Sequence, residues 1–243
     1  MVEMRQLLDD ATMIYRQELD SFLSIVAPAA VLGPVLIIVA ASGFIQALVT
    51  LPIFLLLLLL TYAACVRAAA QIQRHISPDP VRAWTEALAS VRGAVVASGM
   101  PALGLVVTTG CALWIGGDGL PLIAFAVALA GVAAFAHWTL RHAYDESLVL
   151  AHDLPAHEAM RVGPLLASLE ERWTPSLLAA MAAPLLAGVL LSFLAAEALA
   201  PPVGGAIFLL ALAFWLPLPA LALTIDCDRL LVEATEPAQR AAR

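Results

Sequence analysis

Six long apolar stretches, at about 22–41, 44–66, 94–114, 120–140, 176–196 and 203–225, alternate with short polar segments along the chain. A bilayer core about 30 Å thick is crossed by roughly 20 apolar residues in helical form, so each stretch is long enough for one span. The stretches are continuous and rich in Leu and Ala, without the alternation of a barrel strand. This pattern predicts helices.

The intervening polar segments carry a helical period of their own. Val81, Trp84, Leu88 and Val91 follow one another at spacings of three, four and three, which places them on one helix face. Pro80 suits the first turn of that helix and Asp79 its N-cap. Val162, Leu165, Leu166, Leu169 and Trp173 form a similar stripe, leaving Glu158, Glu170, Glu171 and Arg172 for water. Met4, Leu7, Leu8, Ala11 and Ile14 form a third.

These segments open three loosely repeated units of about 78 residues, at approximately 1–78, 79–154 and 155–243. Each unit reads as an amphipathic helix, a span, a tight uncharged turn and a second span. Arg16, Arg92 and Arg172 fall near the end of each amphipathic segment, and Pro28, Pro101 and Pro184 early in each odd-numbered span. The expected fold is an all-α integral membrane protein of six transmembrane helices. They form three hairpins, each preceded by an amphipathic helix on the cytoplasmic side. No soluble linker separates the units, so residues 1–243 read as a single membrane domain. The amphipathic helices either lie in the membrane interface, with Trp84, Leu88, Leu165, Leu169 and Trp173 toward lipid, or pack together as a cytoplasmic cap.

Charge orients this arrangement. The 12 basic side chains are all arginines, and all lie in 1–21, 67–93, 141–175 and the tail from Asp226. The opposite turns hold only Asp118 and Glu197. Basic loops stay inside, which predicts that both termini are cytoplasmic. The polar, acidic start MVEMRQLLDDATMIYRQELD lacks the form of a removable signal peptide. Trp84, Trp114, Trp138 and Trp173 sit near the expected boundaries as an aromatic belt, while Trp215 lies deeper.

Composition agrees with a membrane solvent: 62% of the 243 residues are hydrophobic and 13% charged. The net charge of −7 argues against nucleic acid or a strongly anionic lipid surface as partner. Cys65, Cys111 and Cys227 are scattered, imply no disulfide framework, and read as small packing residues.

Little in the sequence points to catalysis. Prolines 28, 34, 52, 101, 184, 217 and 219 lie in apolar spans, where each frees a carbonyl; Pro217 and Pro219 together mark the clearest break. Broken helices line substrate sites in transporters, yet proline is also ordinary in membrane helices. Ionisable residues are nearly absent at membrane depth, which disfavours ion-coupled transport. Gln46, Thr50, Thr61, Tyr62, Thr108 and Thr109 read as interhelical hydrogen-bond partners. The one concentration of potential ligands is HWTLRHAYDESLVLAHDLPAHE. His142, Asp145 and Glu146 are its candidate metal ligands, and His137 a candidate axial ligand for a tetrapyrrole. The histidines are separated by five, ten and five residues, and positions five apart on a helix diverge by about 140°. A solvated interfacial stretch is the simpler reading, with no cofactor. Gly163-Pro164 reads as a bend in the third amphipathic helix. No phosphate-binding glycine loop, HExxH or nucleophile elbow is present.

Three stretches resemble a group of bacterial six-span proteins that includes the membrane domain of some glycerophosphodiester phosphodiesterases. LLDDATMIYRQELDSFLSI looks like the family's opening amphipathic helix, and AWTEALASVRG like its second linker. YDESLVLAHDLPAHEAMRVGPLLASLEERW is similar to the linker before the fifth span, where an apolar strand-like run precedes a helix. The resemblance implies a bacterial inner-membrane location. It carries no enzymatic activity, since nothing in this chain matches the soluble catalytic barrel.

The function expected from these features is that of a non-enzymatic scaffold or accessory subunit. Its partners would be membrane lipids and a membrane protein or a second copy of itself, through the small residues of runs such as LAAMAAPLLAG. The alternative is transport or lipid handling, in a cavity formed by proline-broken helices. Metal-dependent chemistry in 137–158 is a third reading.

Overall fold

The structure, a computed structural model, describes residues 4–41, 44–96, 121–169 and 215–241, with single positions at 187, 191, 207 and 211. Every regular element among the described residues is helical, and none is a strand. The third and fifth apolar stretches lie outside the described residues, apart from their edges and single positions.

Helix α1 (Met4–Gln17) meets α2 (Leu19–Ala41) at Glu18. The backbone ladder carries through the joint, with Glu18 N–H on the Ile14 carbonyl at 3.0 Å and Phe22 N–H on the Glu18 carbonyl at 3.1 Å. Tyr15 and Phe22 brace it edge to face, 5.7 Å between ring centres. The apolar stripe of α1 is turned inward: Leu7 and Ala11 are buried, and α1 packs on α2 and on the last helix. The stripe of this helix thus packs on protein.

Helix α3 (Phe44–Gln73) has 30 residues, about 45 Å of helix, and outlasts a bilayer core by several turns. Windows in α2 (Leu19–Leu36) and α3 (Pro52–Gln73) are long and apolar enough to cross a membrane. Beyond α3 the chain stops in a Schellman motif. Ile76 N–H reaches the Gln71 carbonyl and His75 N–H the Ile72 carbonyl, with His75 at φ 57° in the position glycine usually fills. Asp79 then caps α4 (Pro80–Ala89) as the sequence predicts, its Oδ1 accepting from Val81 N–H at 2.9 Å, with Pro80 in the first turn. The amphipathic helix expected over 80–93 is split at Ser90, so Val91 belongs to a separate short α5 (Val91–Ala94).

Helix α6 (Pro121–Arg141) runs the length of the fourth apolar stretch. Helix α7 (Asp145–Ala151) occupies the run that resembles a strand, and α8 (Ala156–Leu169) continues through Gly163-Pro164 without the interruption expected there. The last helix, α9 (Pro217–Ala241), begins where the proline pair predicts a break: Leu216 is a turn residue, Pro217 opens the helix, and the helix then runs on past Asp226.

The C-terminal half of α3 is the post of the fold. Helices α2, α4, α5, α7 and α9 all pack against it, and α8 packs on α7, α9 and α6. The packed faces are made of small residues: Ala63, Ala64, Cys65, Ala68 and Ala69 on α3, Ala83 and Ala87 on α4, Ala220 and Ala222 on α9. Small side chains let helix axes approach closely, which gains dispersion contacts where no water is expelled. Gly93 serves the same end between α5 and α7, because a Cβ there would lie 2.9 Å from Val149 Cγ1.

Candidate functional site

The polar ends of these helices meet in a layer around residues 142–154. Arg67, buried near the end of α3, donates through Nη1 to Asp153 Oδ1 at 2.7 Å and through Nη2 to Ser90 Oγ at 2.5 Å. Ser90 in turn donates to the Glu86 carbonyl at 2.9 Å, closing the end of α4. Two turns further along α3, Arg74 donates to the Ala151 carbonyl at 2.7 Å. Gln71, between them, accepts Asp79 N–H at 2.9 Å. One helix thus holds both the α7–α8 connection and the start of α4.

The other side of α7 is tied to α9. Tyr144 is wholly buried, and its hydroxyl donates to Asp226 Oδ2 at 2.5 Å, while Arg229 holds Asp226 Oδ1 at 2.8 Å. Asp228 Oδ1 lies 2.8 Å from His152 Nε2, off the axis a hydrogen bond requires.

The segment 137–158, expected to be a solvated interfacial stretch, is core at its centre, while His137, Arg141, Asp153, His157 and Glu158 are exposed. Tyr144, Asp145, Ser147, Leu148 and Leu150 are all buried. Its central apolar residues belong to the core, where α7 packs on α3, α8 and α9, a distinction invisible in composition alone.

Of the candidate ligands, His142 and Asp145 come together: His142 Nδ1 is 2.7 Å from Asp145 Oδ2, and the imidazole stacks on Trp138 at 4.2 Å between ring centres. Asp145 is 1% exposed and its second oxygen, Oδ1, has no hydrogen-bond partner among the described residues. Burial pushes its carboxyl up to about 6, against the pull of the His142 hydrogen bond and charge. Glu146 lies within electrostatic reach of Tyr62 on α3; burial, and then the neighbouring Asp145 charge, push its carboxyl up to about 8. Among the described residues no three His, Cys, Asp or Glu side chains are grouped to hold a metal. His137, on the last turns of α6, is exposed, as is His157 on α8. Cys65 and Cys227 are buried and unpaired; Cys111 is outside the described residues.

The residues expected at the interface divide. Trp84 is half-buried and its Nε1 donates to the Ile25 carbonyl of α2 at 3.1 Å, one turn before Pro28 opens that helix's ladder. Leu88 and Leu165 are exposed, at 53% and 65%. Leu169 ends α8, and its side chain, like Trp173, lies outside the described residues. Sequence reasoning missed Arg67, Tyr144, Asp226 and Gly163. Arg67 carried a readable signal, an arginine continuing an apolar helix past the length a bilayer needs. Tyr144 and Asp226 carried none, being 82 residues apart.

The Tyr144 bond yields a direct expectation. In Tyr144→Phe the buried Asp226 loses its neutral donor and keeps only Arg229, a loss of about 1–3 kcal/mol for a bond to a charged group. Thermal unfolding in mild detergent should show a drop of about 3–10 °C. An unchanged Tm would mean that Arg229 alone satisfies the carboxylate.

Comparisons with family models, with characterised proteins and with solved structures find no match.

Proposed function

We propose that this chain is a non-enzymatic, multi-pass protein of the bacterial inner membrane, kin to the phosphodiesterase membrane domains it resembles, acting as a scaffold or accessory subunit of a larger membrane complex. Six spans form three hairpins, and both termini lie in the cytoplasm. The shared polar layer supports the orientation: segments from all three units pack around the inner end of α3, as expected if they occupy one side of the membrane.

The observation that carries the functional reading is the state of the buried charges. Arg67, Asp145 and Asp226 are each bonded to a side chain that fixes a helix end or a connection. Each of these bonds ties α7 or its connections to a neighbouring helix, a use of buried charge that fits a structural role. A depression along α1, lined by Asp9, Thr12, Met13, Arg16 and Gln17, draws on a single helix and is an open face, not a cleft.

Gentle extraction from native membranes, with mass spectrometry of what remains bound, tests the reading. A membrane protein recovered at fixed stoichiometry is the expected result. Recovery of the chain alone with tightly held lipid or small molecule would overturn it and bring forward transport or lipid handling through proline-broken spans.

A further inference from the structure

The exposed face of α4 does not resemble its buried face, and the difference specifies a partner. At 100° per residue, Ala83 and Ala87 form one sector of the helix, packed on α3 and α2. Trp84, Leu88 and Val81 form a second sector roughly 110° round from the first. It holds the large apolar side chains, yet Val81 is 75% and Leu88 53% exposed. Arg82 and Glu86 form the third sector, roughly 150° from the second, and pair with each other at 2.7 Å. An ordinary two-faced helix buries its large apolar side chains in the protein. This one turns alanines to the protein, large apolar groups to one side and charge to the other.

The height of α4 along its neighbour is fixed by the Trp84 bond to the Ile25 carbonyl. That point on α2 is where the exposed side chains change character. Leu19, Asp20 and Ser24, a mixed set, are exposed before it; on α2 the exposed side chains after it, Val31, Leu32 and Val35 among them, are all apolar. In a chain that crosses the bilayer through α2, such a change marks the boundary between headgroups and acyl chains. Val95 and Val96, also exposed, lead from the far end of α4–α5 toward the third apolar stretch, so apolar surface continues from both ends of this layer.

We propose that α4 is a membrane-seated helix, which inserts Val81 and Leu88, beside the partly buried Trp84, at the headgroup–acyl boundary of a zwitterionic bilayer. This rests on the membrane reading above. It divides the amphipathic helices by role: α1 closes the cytoplasmic cap and α4 lies on lipid. A lipid surface fits the sector better than a protein. Three side chains offer a few hundred Å², short of the about 800 Å² per partner that a stable protein complex needs. The self-paired Arg82 and Glu86 leave no net charge to recruit an anionic surface. Burial of the apolar sector to a depth of about 5–10 Å is sufficient to seat such a helix.

Single-cysteine variants carrying a fluorescent label, made in a Cys65→Ala, Cys111→Ala, Cys227→Ala background and reconstituted into phosphatidylcholine vesicles, test this. Lipids brominated near the top or the end of the acyl chain report depth, and iodide reports water. Labels at Leu88→Cys and Val81→Cys should be quenched at least about twofold more by the shallow brominated lipid than a label at Arg82→Cys, which iodide should quench instead. A label at Val35→Cys should respond to the deep lipid. Iodide quenching at Leu88→Cys equal to that at Arg82→Cys overturns the seat. Shielding of Leu88→Cys from both quenchers also overturns it, in favour of a protein partner or second copy. Loss of lipid quenching at Val35→Cys would instead bring down the membrane reading itself.

Discussion

Replacing Gly163 by alanine is expected to lower the apparent Tm of the detergent-solubilised protein by about 5–10 °C, equivalent to about 2–3 kcal/mol for a chain of this size. A Cβ at this position would overlap Asp145 Oδ1 and lie 3.0 Å from Asp145 Cγ and 3.4 Å from Asp145 N. The carboxylate has no easy retreat. Its other oxygen is bonded to His142, and the His142 ring is stacked on Trp138. Room for the methyl group therefore comes in one of two ways. Asp145 can leave His142, which strands a buried carboxylate, or α8 can back away from α7, which uncovers Ala159 and Leu166. Both cost more than the small gain in helix propensity from glycine to alanine. A double-mutant cycle identifies the cause. Asp145→Ala also destabilises, but it removes the obstacle, so Gly163→Ala in that background should cost less than about 1 kcal/mol. Equal costs in the two backgrounds would show that the glycine matters for some reason other than its contact with Asp145.

The same pair of residues shows where sequence reading ends. Features set by neighbours in the chain were legible: the Asp79 cap and Pro80, the break at Pro217, the long apolar helices α2 and α3. Capping chemistry and proline geometry act within a turn, so a local pattern is sufficient. Gly163-Pro164 has the local pattern of a bend, yet the helix runs through it, because the glycine answers to a carboxylate on another element. The stripe on α4 is real, but Val81 and Leu88 stay exposed and Trp84 is only half-buried, while Ala83 and Ala87 are sealed; alanine carries little hydrophobic signal and packs by allowing close approach. DESLVLA opens on two acids and a serine, which read as solvated. In the fold Asp145 is buried and bonded to His142 in the preceding turn, while Tyr144, Leu148 and Leu150 are sealed in the core. The partner of Asp226 is Tyr144, 82 residues away, and composition does not encode such a pairing.

That buried pair of acids makes stability depend on pH in a direction opposite to the usual one. Most carboxylates in folded proteins are stabilised as anions, so stability is lost on acidification. Glu146 has its folded value pushed from 4.5 to about 8. Below 4.5 the group is neutral in both the folded and the unfolded chain and contributes its full share. Between 4.5 and about 8 the folded chain holds a proton that the unfolded chain has released, so the stability contribution is lost as pH rises and is gone above about 8. Asp145, raised from 3.8 to about 6, adds a loss of the same sign at lower pH. The wild-type Tm should therefore fall between pH 5 and pH 9. Glu146 is half-buried, so its share is on the order of 1–3 kcal/mol once solvent screening is allowed for. Glu146→Gln keeps the shape and removes the titration. It should match wild type near pH 5, exceed it by about 3–10 °C at pH 9, and leave only the Asp145 slope below pH 6. Parallel profiles for variant and wild type would show that Glu146 is ionised in the fold at neutral pH. The two adjacent acids that open α7 are raised first of all by burial, so the inward packing of this turn is what makes stability fall with rising pH. Asp145 is bonded to His142, and the first turn of α7 favours a negative charge there, which offsets part of the cost of burying it.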